Sequence, residues 1–332
     1  MRIGIVCNPS SGKYAGFDEI WHLLARELVH HNLFCTYATS RLLPKGIAHS
    51  VVGEEHAYGT EKDSIIAGSI LQNVDFVIVF GGDGTLSDVV YGQYLAGKLV
   101  PIAGVALGTI NAGPLVTFKS VDDLLKFNLG KFSTRPVAGV EVYDDRNLIG
   151  VAFNDVVFSN CTVSTVGGQV CTVDAKAFLK GQKIATTPTK IGTSKTEIRI
   201  NGELVKIPFE IGQIIISPLH KVDVHKGKAL SGKLCWAPYL NMVGGMIVSE
   251  QPIIKIVATE LDAISPFLLS QFIFKNSDTV EVGKTKGFVI VDGNPRLDMR
   301  STDKCTLKFN DKAAITCAFG LEERSNERGQ DI

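Results

Sequence analysis

The chain has 332 residues, 45% hydrophobic and 20% charged, with 34 Lys and Arg against 34 Asp and Glu. That is apolar material for one large or two ordinary globular domains, and a net charge of zero lacks the basic footprint of a nucleic-acid or acidic-membrane binder. No apolar run reaches the about 18 residues of a membrane-spanning helix, Arg2-Ile3-Gly4-Ile5-Val6 reads as a strand rather than a leader, and the seven cysteines, with no Cys-x-x-Cys pair, read as buried reduced thiols in a cytoplasmic protein.

In chain order, Arg2 to Asn8 predicts a first strand and Pro9-Ser10-Ser11-Gly12-Lys13 a turn cluster. Phe17, Ile20, Trp21, Leu24 and Leu28 fall at helical spacing. A second strand is expected over Leu33 to Ala38, a polar stretch from Thr39 to Thr60, and a helix from Glu61 to Gln72. The next segment is the most informative. Val77-Ile78-Val79-Phe80 is a buried parallel strand by composition, and it breaks into Gly81-Gly82-Asp83-Gly84-Thr85 before a helix over Leu86 to Leu95. The glycines admit a ligand close to the backbone, and Thr85 is placed to cap the helix, whose free N–H groups attract anions. A carboxylate inside a phosphate cradle repels its ligand unless it works through a metal ion or takes a proton from a hydroxyl. Asp83 therefore points to phosphoryl transfer, where catalysis is mostly positioning and charge neutralisation; the alternative is a plain β–turn–α connection. Pro101 to Leu107 is a further strand, followed by Gly108-Thr109-Ile110-Asn111, and Val121 to Phe127 a helix.

Alternating strands and helices predict a parallel sheet with its ligand beyond the carboxyl ends of the strands. Three polar loops leave those ends: Asn8 to Lys13, Gly81 to Thr85 and Gly108 to Asn111. Gly12-Lys13 has the ending of a Walker A loop, but Tyr14 stands where Ser or Thr is required and the upstream Gly is missing. The first βα turn also lacks the GxGxxG dinucleotide fingerprint.

From Arg135 the texture changes to short strands: Val137 to Tyr143 and Leu148 to Ser159 around a hairpin at Asp144 to Asn147, then Thr196 to Ile200, Glu203 to Phe209, Gln213 to Ser217, Ile253 to Thr259, Thr279 to Val282, Gly287 to Val291, Cys305 to Phe309 and Ala314 to Phe319. The expected fold class is an α/β N-terminal domain with a parallel sheet, followed by a mostly antiparallel β-rich domain. Asn154-Asp155 interrupts an apolar strand, which marks a bulge or a cleft-facing pair. Asp292-Gly293 reads on its own as a hairpin turn.

Taken together, Asn8-Pro9-Ser10-Ser11-Gly12-Lys13, Gly81-Gly82-Asp83-Gly84-Thr85, Gly108-Thr109-Ile110-Asn111, Asn154-Asp155 and Asp292-Gly293 resemble the superfamily of NAD kinases and diacylglycerol/sphingosine kinases, in order and spacing, over nearly the whole chain. The resemblance implies a nucleotide-binding domain over 1–134, a substrate-binding domain over 135–320, a flexible tail over 321–332, and a site between the domains. It implies phosphorylation of a small-molecule hydroxyl with ATP and Mg²⁺, NAD being the first acceptor and a lipid or another small molecule the alternative. Gly81, Gly82, Gly84 and Thr85 would hold phosphates together with Asn8, Ser11, Gly12, Lys13, Thr109 and Asn111. Asp83 would be the general base or engage Mg²⁺ through the nucleotide, and Asn154, Asp155, Asp292 and Gly293 would take the acceptor. Asn154-Asp155 matches the Asn-Glu pair of NAD kinases with one methylene less, and the Gly-Ser-Thr-Ala-Tyr stretch of those enzymes has only Gly192-Thr193-Ser194-Lys195 as a counterpart. Expected partners are small nucleotide substrates and further copies of the chain in a homo-oligomer, without nucleic acid or an integral membrane segment. Phosphofructokinases share the Gly-Gly-Asp-Gly loop but open with a Gly-Gly turn, which Asn8 to Lys13 is not. A nucleotide sensor without turnover is the non-enzymatic rival, and the presence of Asp83 argues against it.

Overall fold

The computed structural model describes residues 1–11, 16–108, 111, 113–125, 127–145, 147–166, 169–219, 233–254 and 266–319. The first part alternates strands and helices: β1 (Arg2–Cys7), α1 (Phe17–Leu28), β2 (Asn32–Thr36), α2 (Tyr37–Ser40), β3 (Ser50–Val52), α3 (Thr60–Ile70), β4 (Phe76–Gly81), α4 (Asp83–Ala96), β5 (Ile102–Ala106), β6 (Val116–Phe118) and α5 (Val121–Leu125). The strands β3, β2, β1, β4 and β5 lie side by side and parallel. Every residue of β4 is buried, as a central strand covered on both faces requires. On one face α1 lays Phe17, Trp21, Leu24 and Leu28 against Ile3, Ile5, Ile78 and Phe80; on the other, Leu86, Val89 and Val90 of α4 pack over Val77 and Val79. Cys7 is level with Phe80 and Gly81 with Ala106, so the loops leaving β1, β4 and β5 share one edge.

The second part is built of strands: β7 (Phe132–Asp144), β8 (Asn147–Ala152), β9 (Val156–Ser159), β10 (Cys161–Val166) and β11 (Gln169–Asp174), then helix α6 (Ala175–Leu179), β12 (Glu197–Ile200), β13 (Glu203–Val205), β14 (Gln213–Pro218), β15 (Gly244–Ser249), β16 (Leu269–Phe274), β17 (Thr279–Gly283), β18 (Phe288–Val291), β19 (Asn294–Asp298) and β20 (Lys304–Phe319). An antiparallel sheet runs β16-β15-β14-β9-β18-β19. It packs Phe158, Ile214, Ile216, Met246, Phe274 and Val289 against Val140, Val280, Val282, Leu307 and Phe309 of the other sheet, a sandwich core. That other sheet is continuous with the first part: β20 pairs antiparallel with β7 and β17, and meets β5 in parallel at Thr316 and Ile102. The fold class is thus the expected one, and the expected boundary between 134 and 135 falls inside β7.

Several expected elements differ. Helix α4 starts at Asp83, three residues before Leu86, because Gly82 sits extended at the N-cap and makes no side-chain cap bond. Thr85 is therefore inside the first turn and is not the cap. The second strand stops at Thr36, whose hydroxyl accepts the Thr39 N–H and caps α2, and β3 lies within the stretch expected to be irregular. The strand expected over Leu148 to Ser159 breaks at Phe153–Asp155, while the two runs after Cys305 are one strand with an irregularity between Asn310 and Ala314. Most of the Ile253 to Thr259 run and the tail over 321–332 lie outside the described residues.

Helices α3 and α4 approach until their backbones touch. A Cβ on Gly68 would lie 2.0 Å from Val89 O, and one on Gly92 would lie 1.9 Å from Ile65 O. Neither backbone oxygen can yield without moving its helix. Gly92→Ala should therefore lower stability by about 1–3 kcal/mol, the range for overpacked interiors, in chemical denaturation; a loss below about 0.5 kcal/mol would show that the pair separates freely.

Candidate active site

The shared edge is closed by backbone and short side chains. The Asn8 N–H donates to Phe80 O at 3.0 Å, and the Leu107 N–H to Gly81 O at 3.0 Å, so the strand ladder extends into both loops. The Asn8 side chain accepts from the Ser10 N–H at 2.9 Å and donates through Nδ2 to Thr85 Oγ1 at 2.7 Å. One residue thus shapes the first loop and ties it to α4. The Asn111 side chain bonds both the N–H and the carbonyl of Gly108, at 2.9 and 2.8 Å. Gly82 and Gly108 face each other so closely that a Cβ on Gly108 would lie 2.6 Å from Gly82 Cα. Above this floor stands the N-terminus of α4, whose first intrahelical bond is from Leu86 N to Gly82 O. The amides before it have no helical acceptor, and with the helix dipole they suit phosphate oxygens.

Asp83 sits on that first turn. Its Oδ1 accepts the Gly113 N–H at 3.1 Å. A Cβ on Gly113 would lie 2.8 Å from Asp83 Oδ1 and 3.0 Å from Asn154 Oδ1, so the polar ends of Asp83 and Asn154 converge on a position that only glycine fits. Asp155 belongs to the same cluster: burial first, and then the charge of Asp83, push its carboxyl up to about 6.

Asn154 and Asp155 occupy the break between β8 and β9, and Asp292 holds it. Its carboxylate accepts the N–H groups of Phe153, Asn154 and Asp155 at 2.9, 2.8 and 3.0 Å, while its own N–H donates to Asp155 O at 3.0 Å. Asp292 and Gly293, at φ 46° and 85°, form the tight turn between β18 and β19. Their polar groups are engaged within the protein, since Gly293 O accepts from Thr162 Oγ1 at 2.7 Å. The turn abuts α4: a Cβ on Gly84 would lie 2.9 Å from Asn294 Nδ2.

The fold thus brings Asn8, Gly81, Gly82, Asp83, Gly84, Thr85, Asn111, Asn154, Asp155, Asp292 and Gly293 to one place, with Ser11 at the end of the first loop, where its N–H donates to Asn8 O. Gly12, Lys13 and Thr109 lie outside the described residues. Gly113 joins this cluster although the sequence reading did not single it out, since a lone glycine carries no signal of its own. Among the described residues no group of three or more His, Cys, Asp or Glu forms a metal cage. The Asp83 and Asp155 pair suits a divalent cation that brings most of its own oxygen ligands, as a nucleotide-bound Mg²⁺ does.

Burial, outweighing its backbone hydrogen bonds, pushes the Asp292 carboxyl up to about 7. A folded-state value above the ordinary carboxylate value stabilises fully below about pH 4 and loses that contribution as pH rises through about 7. Asp292→Ala should lower stability by about 3 kcal/mol, through three N–H groups left without an acceptor. It should also flatten the decline of the denaturation midpoint between about pH 4 and 7. An unchanged midpoint and slope would show that water replaces the carboxylate.

Comparison with known proteins bears on the fold and on the first part of the chain. Residues 3–128 match the family model of the ATP-NAD kinase N-terminal domain. An uncharacterized protein of Archaeoglobus fulgidus is 26% identical over 300 residues, 89% of this chain and 92% of that one. An NAD kinase of Ralstonia nicotianae is 33% identical over 127 residues, 36% of this chain, and one of Syntrophotalea carbinolica is 29% identical over 158 residues, 44% of this chain. The matched stretches span 41% and 53% of those two NAD kinases, about half their length. Among solved structures, a Bacillus anthracis protein described as a diacylglycerol kinase superposes with a TM-score of 0.54 at 13% identity, covering 95% of this chain and 96% of that one. Yeast NADH kinase complexed with NADH superposes with a TM-score of 0.50 at 15% identity, covering 100% and 89%. Residues 3–128 thus match the ATP-NAD kinase N-terminal domain, and the chain as a whole has the NAD kinase/diacylglycerol kinase-like fold.

Proposed function

We propose that this chain is a kinase that moves the terminal phosphoryl group of ATP to a hydroxyl of a small molecule, with NAD the first acceptor to test. The observation that carries the reading is the Asp83 carboxylate on the first turn of α4, held by the Gly113 N–H and converging with Asn154. The domain match and the two NAD kinase relatives support the same reading. The first-turn amides of α4, with Gly81, Gly82 and Gly84, would hold the phosphates, and Asn8, Ser11 and the loop at Asn111 would support the nucleotide. Mg²⁺ would supply neutralisation of the phosphate charge. Asp83 would accept the hydroxyl proton of the acceptor as transfer proceeds. Asn154 and Asp155 would bind the acceptor, a sugar diol suiting an acid that both burial and a neighbouring charge keep inclined to share a proton. Residues 1–134 would then serve the nucleotide and 135–320 the acceptor. The same proposal places the protein in the cytoplasm, where the free thiols of Cys7, Cys35, Cys161, Cys171, Cys305 and Cys317 stay reduced, and as a homo-oligomer, which light scattering reads directly.

The decisive experiment offers NAD, diacylglycerol, sphingosine and small polyols with ATP and Mg²⁺ and follows ADP. Turnover with NAD alone supports the reading; turnover with a lipid alone moves the chain to the lipid branch; none at all leaves the nucleotide-sensor reading. Asp83→Asn should reduce turnover by about 10²–10⁴-fold with the melting temperature unchanged, and activity within about threefold of wild type removes Asp83 from the chemistry. Chelation by EDTA should stop the reaction and leave the melting temperature in place; a large drop in melting would reveal a structural ion. Asp155→Ala should raise the acceptor KM by about tenfold or more, the worth of one good hydrogen bond to a charged group, and barely change that for ATP. Equal effects on both substrates would take Asp155 off the acceptor side.

A further inference from the structure

A buried cation outside the predicted site reaches into it from behind. Arg296 lies on β19, two residues after Asn294, at the bulge where the register of β19 shifts against β18. Its guanidinium bridges Asp88 of α4 and Glu61 of α3. The Arg296 side chain is 9% exposed and that of Asp88 4%. The guanidinium also stands over the Tyr91 ring of α4, 5.9 Å from its centre, and the Asn294 side chain bonds Asp88. The hairpin that carries Asp292 is therefore fastened to the helix that carries Asp83, and through Glu61 to the helix whose backbone α4 touches at Gly68 and Gly92.

The pairing is a poor choice for stability alone. Both charges lose their hydration, burial pushes Asp88 up to about 7 despite the cation, and the Arg296 Nε–H has no partner among the described residues. Apolar side chains of similar volume often hold such a joint as well or better. What an apolar joint lacks is a fixed register. The planar guanidinium fork sets where β19 sits along α4, and this position sets where Asp292 holds the backbone of Asn154 and Asp155 relative to Asp83.

We propose that Arg296 is a positioning residue, which fixes the spacing between Asp83 and the Asn154–Asp155 pair and so acts on the transfer step rather than on nucleotide binding. The proposal rests on the kinase reading above for its catalytic consequence, while the clamp itself is measurable without substrate. Arg296→Met alone would strand Asp88, so the informative protein is Arg296→Met with Asp88→Asn, which removes both buried charges together, compared with Arg296→Lys. In hydrogen exchange, the amides of Asp83 to Leu86 and of Phe153 to Asp155 should exchange about tenfold faster in the double variant, with the melting temperature within about 5 °C of wild type. In steady-state assays kcat should fall about 100-fold, the effect of a misplacement near 1 Å, with the KM for ATP within about twofold. Arg296→Lys should recover kcat to within about tenfold of wild type. Unchanged protection at those amides overturns the clamp. A kcat within about threefold of wild type, or a fall in kcat matched by an equal rise in the KM for ATP, overturns its role in transfer. If the wild-type protein turns over no acceptor, it is the kinase reading that fails, and the exchange measurement alone then decides whether Arg296 is a clamp.

Discussion

Three N–H groups that no strand satisfies decide how the site is built. Where β8 stops and β9 has not begun, Phe153, Asn154 and Asp155 turn their amides away from any ladder, and the single carboxylate of Asp292 takes all three. Leaving such groups bare costs about 1–3 kcal/mol each, so the break in the strand and the turn at Asp292 are one feature. It brings Asn154 and Asp155 up to the first turn of α4, and it explains why a carboxylate is worth burying beside Gly293.

The acids around the site differ in how their burial is offset. Asp88 faces a guanidinium, Asp292 a set of backbone donors, and Asp155 has burial and a second negative charge both acting on it in one direction. A fold with no use for Asp155 would have no reason to leave it so placed. Asn8, Asn111 and Asp292 shape the loops through bonds to neighbouring protein groups, while the polar ends of Asp83 and Asn154 converge beside Gly113, whose N–H bonds Asp83.

What was legible in the sequence was local. The all-buried β4 and the glycines after it announce themselves, because strand composition and close backbone approach are properties of neighbouring residues. The interruption at Asn154-Asp155 was visible as a polarity clash, and the structure has it as a break between β8 and β9 held by Asp292. The start of α4 is not legible in the sequence because Gly82 caps through its backbone conformation, which leaves no side-chain signature, whereas Thr85 is the residue type that favours a cap. The bond from Asp292 to residues more than 130 positions away, the clamp of Arg296 on Asp88 and the meeting of Asp83 with Gly113 depend on tertiary distance, which no window of sequence contains. In retrospect, an acid in the apolar run Leu86-Ser87-Asp88-Val89-Val90 asked for a buried cation.

Strand β20 carries a consequence for how the chain is made. Its end lies in the first half, where Thr316 reaches Ile102 O from 214 positions away in sequence and Phe319 packs among Phe76, Phe118, Phe127 and Phe132. On the ribosome, β5 emerges long before β20, so the nascent first half has an open sheet border and an unfilled aromatic socket while the rest is synthesised. Such borders attract other chains. Biosynthesis therefore has a vulnerable interval that ends only when β20 arrives, and chaperone dependence or aggregation during expression should be sought in that interval rather than in the folded molecule.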